Sequence, residues 1–120
     1  MEEVQVILIH VRDLMFSTRI VEAAKDLKLP FKVVRNAQQL PGESGRKLIV
    51  DLNQEGALDA ALAWKQAHAG PVLGFVSHVD AETIARAREG GIDQIVSRGQ
   101  FVSDLPQFLH PAERPGDLPE

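Results

Sequence analysis

The sequence predicts an α/β domain built on a parallel sheet with helices on both faces. Three observations predict it: five short apolar runs rich in β-branched residues, helical periodicity between them, and glycine, proline or an N-cap residue at most junctions. Strands alternating with helices form βαβ units, whose crossovers cover both faces of the sheet. A chain of 120 residues has room for one such domain with a proper core.

The first strand is expected over Val4 to Ile9 (VQVILI). Ile20, Ala23, Ala24 and Leu27 then recur at the spacing of one helix face, with charges between them. Pro30 stops that helix, and Phe31 to Val34 (FKVV) forms the second strand. Asn36 to Arg46 contains Pro41, Gly42 and Gly45 and should be mostly loop, with room for one helical turn. Leu48, Ile49 and Val50 make the third strand, closing on Asp51.

Leu58, Ala61 and Leu62 mark a helix that stops near Gly70-Pro71. Val72 to Val76 is the fourth strand, and Asp80 is a good N-cap for a helix holding Thr83, Ile84 and Ala87. Gly90-Gly91 ends that helix ahead of a fifth strand over Ile92 to Val96. Phe101, Leu105, Phe108 and Leu109 share one face of a last helix. Pro106 fits only its first turn, so the helix is expected to begin near Ser103 or Asp104. Residues 1–109 are read as the domain and the proline-bearing 110–120 as a flexible tail.

Composition excludes several classes of function. With 44% hydrophobic and 25% charged residues the chain is globular rather than disordered. A net charge of −4 gives no electrostatic reason for a nucleic-acid or membrane partner. The absence of cysteine rules out disulfides, thiolate catalysis and cysteine-held zinc. His68, His78 and His110 are scattered without ligand spacing. The acidic start lacks the basic region of a signal peptide, and no apolar run reaches the length of a membrane span, so a cytoplasmic location is expected. Ser77 has no G-x-S-x-G context, and the loop after the first strand has no glycine for a dinucleotide. Gly90-Gly91 precedes a strand instead of opening a helix, as a phosphate cradle would. Trp64, beside the Leu58 and Leu62 stripe, is expected to pack, with anchoring of a partner as the alternative.

The segment Lys47 to Asn53 (KLIVDLN), followed by a helix, resembles the third strand of a response-regulator receiver domain. Pro71 to Ser77 (PVLGFVS) resembles the fourth strand of that family, and Ala87 to Val96 (AREGGIDQIV) its glycine turn and fifth strand. The resemblance covers roughly residues 4 to 109. It implies a flavodoxin-like (CheY-like) three-layer sandwich with a five-stranded parallel sheet in the order 2-1-3-4-5. It places Asp51 at the phosphoacceptor position, Asn53 where a backbone carbonyl helps to hold magnesium, and Ser77 where a hydroxyl meets the phosphoryl group.

Two departures stand out against that resemblance. His10 and Val11 occupy the positions assigned to adjacent carboxylates, and Arg98-Gly99 replaces a lysine followed by proline. Asp13, just past the strand, is a weak substitute as a magnesium ligand. If His10, Asp51, Ser77 and Arg98 converge at one sheet edge, His10 and Arg98 can pair with Asp51 and lower its pKa. The preferred reading is therefore a non-enzymatic pseudo-receiver, an interaction module of two-component type with a degenerate site and no cofactor. Its partner is a protein of unknown identity, a second copy of the chain being one candidate. The alternatives are a working receiver phosphorylated on Asp51 with magnesium, and a small enzyme or ligand-binding domain using the same edge.

Overall fold

The computed structural model describes residues 5–77 and 80–109; the expected tail lies outside them. β1 (Ile7–His10), β2 (Phe31–Val33), β3 (Lys47–Asp51), β4 (Val72–Val76) and β5 (Gln94–Ser97) form one parallel sheet in the order 2-1-3-4-5. α1 (Leu14–Asp26), α2 (Ala57–His68) and α3 (Ala81–Glu89) follow β1, β3 and β4, while α4 (Arg98–Ser103) and α5 (Leu105–Leu109) follow β5. The link from β2 to β3 carries one 3-10 helix, Ala37–Gly42, capped by the Asn36 side chain, which accepts from the Gln38 amide at 2.8 Å.

Alternation along the strands divides the core into two layers. Ile7, Ile9, Ile49, Leu73 and Phe75 face α1, α4 and α5, where Phe16, Ile20, Phe101 and Leu109 are buried. Leu8, Leu48, Val50 and Val72 face the other way, onto Leu40, Ala61, Trp64 and Ala87. β1, β3 and β4 lie between neighbours on both sides, which is why they read as unbroken apolar runs.

The Trp64 ring is wholly buried and donates from Nε1 to the Glu43 carbonyl at 2.8 Å, so it packs, as expected. It also explains Gly70, because a Cβ there would lie 2.7 Å from Trp64 Cη2. Glycine at this position is a packing requirement, while the left-handed turn that ends α2 falls on Ala69, at φ 57°. Gly91, at φ 93°, makes the left-handed turn into β5.

The end of the chain differs from the sequence expectation. A helix opens at Arg98, directly after β5, because the Ser97 side chain caps it by accepting from the Gln100 amide at 3.0 Å. The chain breaks at Asp104 and restarts as α5, which places Pro106 in a first turn where it needs no amide. A buried Lys47 reaches up from β3 and donates to the Phe108 carbonyl, tying α5 to the sheet. β5 is also shifted, running from Gln94 to Ser97 while Ile92 packs ahead of the ladder.

Candidate functional site

The register brings the C-terminal ends of the strands to one edge. His10 lies opposite Val50, Asp51 opposite Phe75, and Val76 opposite Ser97. An open pocket at this edge is lined by Arg12, Asp13 and Leu14 from the β1–α1 link, by Asp51 and Asn53 to Glu55 after β3, and by Ser77 after β4. Open parallel sheets bind ligands at such an edge. Asp13, Asp51, Asn53 and Ser77 are thus together, while His10 and Arg98 do not line the pocket.

His10 is the clearest correction. Its side chain is buried, as is that of Val11, and neither residue lines the pocket. The His10 ring packs inside the fold, with Nδ1 2.7 Å from the Val34 carbonyl and Nε2 3.1 Å from Gln54 Nε2. Arg12 and Asp13 form the pocket wall beyond β1 instead. β1 runs to His10, so the chain leaves the sheet one residue later than Val4 to Ile9 implies.

Asp13 holds two jobs. Its Oδ1 accepts from the Phe16 amide at 3.0 Å as the N-cap of α1, and its Oδ2 accepts from Arg98 Nη2 at 3.0 Å. The Phe16 amide first, and then the Arg98 guanidinium, hold the Asp13 carboxyl below its ordinary value. Arg98 also lies over the Phe16 ring, 4.3 Å from its centroid, which fixes it as a cation on an aromatic face.

Asp51 is in a different state from the one expected. Neither His10 nor Arg98 bonds to it; its Oδ1 accepts from the Asn53 amide at 3.0 Å in a local turn. Burial raises its pKa, and the Asn53 amide and the charge of Arg98 offset this only in part. The anticipated lowering by a direct cationic partner does not occur, because Arg98 is spent on Asp13 and His10 on Val34 and Gln54. Asn53 in turn accepts at Oδ1 from the Ser77 amide at 2.6 Å, joining the β3 and β4 ends of the pocket. Sequence reasoning missed Arg12, Gln54 and Glu55; no spacing rule flags them, since only the loop geometry turns them inward.

Magnesium takes hard oxygen ligands in near-octahedral geometry, usually with one or two carboxylates. Both Asp13 oxygens and one Asp51 oxygen already accept hydrogen bonds, and Arg12 sits beside them. Among the described residues no group of three or more His, Asp or Glu side chains is placed to hold a metal. As arranged, these residues do not fit the ion.

Neither a protein-family model nor a curated protein matches the sequence. Solved structures do match its fold. A Mn(2+)-bound response regulator, Rcp1, is similar with TM-score 0.76 at 12% identity, over 92% of this chain and 99% of that one. A CheY-like receiver domain protein from Methanospirillum hungatei JF-1 gives TM-score 0.75 at 12% identity, over 88% and 90%. A response regulator from Burkholderia pseudomallei, solved with a phosphorylated aspartic acid and a calcium ion, gives 0.72 at 15% identity, over 88% of this chain and 66% of that one. The chain has the receiver fold. Among the described residues no helix is long and apolar enough to cross a membrane.

Proposed function

We propose that this chain is a receiver-fold signalling module that works through protein contacts, without magnesium and without phosphorylation of Asp51. The observation that carries the reading is the commitment of Asp13: one oxygen caps α1 and the other holds Arg98. A metal would have to displace a guanidinium that is also stacked on Phe16, and would meet Arg12 on the way. Phosphoryl transfer to a carboxylate needs the charge of the incoming group neutralised, and among the described residues no cation bonds to Asp51. The module is then neither an enzyme nor a cofactor binder, acts in the cytoplasm, and takes a protein partner, a second copy of the chain included.

Backbone NMR during titration with magnesium and beryllofluoride tests this. Amides around Asp13, Asp51, Asn53, Ser77 and Arg98 should hold their positions at millimolar magnesium. R12D, which adds a carboxylate on the pocket wall, should gain saturable magnesium shifts. H10D and V11D should instead unfold the domain, because both positions are buried in the core. Saturable wild-type shifts, with an Asp51-dependent mass gain from acetyl phosphate, would establish the second reading, a working phosphoacceptor. That reading draws on one observation: Asp13, Asp51, Asn53 and Ser77 do line a single pocket.

A further inference from the structure

His10 is a buried ionisable side chain whose two ring nitrogens are both engaged, and its partners define its state. The Val34 carbonyl at 2.7 Å can only accept, so Nδ1 carries the hydrogen. At the far end, the Arg12 amide can only donate, and it lies 2.6 Å from Gln54 Oε1. The Gln54 amide is therefore oriented with its NH2 group toward His10 Nε2, 3.1 Å away, where a lone pair must accept. The whole relay is consistent with one species, the neutral Nδ1–H imidazole.

We infer that His10, acting through Gln54, sets the position of the Arg12 wall of the pocket and makes that wall responsive to protons. A proton taken from solvent onto Nε2 turns the acceptor into a donor facing a donor. The Gln54 amide then relieves the clash by turning Oε1 toward the ring, which brings its NH2 group against the Arg12 amide hydrogen. One glutamine satisfies His10 or Arg12 in each state, and not both in the charged one. The backbone at Arg12 lies one residue before Asp13, so a shift there reaches the N-cap of α1 and its bond to Arg98.

The groups around His10 are few. Asp51 at the end of β3 feels the charge of His10, and Arg12 stands at the end of the relay. Arg35 follows Val34, Glu55 follows Gln54, and the 3-10 helix over Ala37–Gly42 has no ionisable side chain. His10 is a positioning residue here; it does not line the pocket and reaches it only through Gln54. The inference concerns the wall alone and stands whether or not the pocket takes magnesium.

Two-bond 1H–15N NMR of the imidazole, run from about pH 8 down to about pH 5 alongside backbone and side-chain amide spectra, tests it. The expected result is the Nδ1–H form at the alkaline end, then shifts of the Gln54 side-chain amide and the Arg12 backbone amide with the same midpoint as the His10 ring. In Q54L the His10 ring should still titrate while the Arg12 amide no longer follows it. In Q54E, where the carboxylate accepts from a charged ring, the midpoint should move to higher pH. An Nε2–H ring, an Arg12 amide that stays still while His10 titrates, or a ring that remains neutral until the domain unfolds would each overturn the inference.

Discussion

Asp51 carries a raised pKa, with no cation among the described residues bonded to its carboxylate, and this has a consequence for stability. A carboxylate whose folded pKa exceeds its unfolded value binds its proton more tightly in the folded state. The fold is then favoured below the ordinary value of 3.8 and loses that advantage as pH rises through the folded value. D51N removes the charge and keeps an Oδ1 for the Asn53 amide. It should therefore melt higher than the wild type at pH 7, with the gap closing as the pH falls toward 3.8, as thermal melts across pH would show. Asp13 runs the other way: its depressed folded value gives stability above 3.8 that is lost as pH falls through the folded value. Asp51, Asn53 and Ser77 were legible in the sequence because each ends a strand or follows one closely. The partners of Asp13 and His10 were not, because side-chain reach across a folded edge leaves no trace in spacing. Arg98 and Asp13 are separated by most of the chain, and the pair exists only because β5 and β1 stop at the same edge.

Among the elements, α3 depends most on its cap. Ala87 is its only wholly buried residue, so packing contributes little, and the Asp80 carboxylate accepts from the amides of Glu82 and Thr83. D80A should cost about 1 kcal/mol, which calorimetry would read as a drop of roughly 4 °C in Tm. That cap was visible in the sequence, as were the strands, since period and punctuation are local properties. The break between α4 and α5 was not. Pro106 points to the start of one helix in the sequence but marks the restart of a second, and Ser97, one residue past the expected fifth strand, carries no sequence signal that singles it out as the cap of α4. A serine ending an apolar run fits either role, and the five residues after it decide which.

Across the whole molecule, the core layer between the sheet and α1, α4 and α5 contains an aromatic tier. Phe75 stacks on Phe101 with centroids 5.2 Å apart, Phe16 meets Phe75 edge-on at 4.8 Å, and Phe108 lies 5.7 Å from Phe101. Phe101 is fully buried at the centre of this tier. F101A should cost about 3–5 kcal/mol, a large share of the roughly 5–15 kcal/mol that holds a domain of this kind together. Urea unfolding should show the midpoint fall steeply. The division of the core into two layers gives this tier a further property. The chain has one tryptophan and no tyrosine, and Trp64 belongs to the opposite layer, behind the sheet from Phe16, Phe101 and the Arg98 guanidinium. The molecule's one strong fluorophore therefore reports on the α2 and 3-10 helix side, with the whole thickness of the sheet between it and the phenylalanine tier.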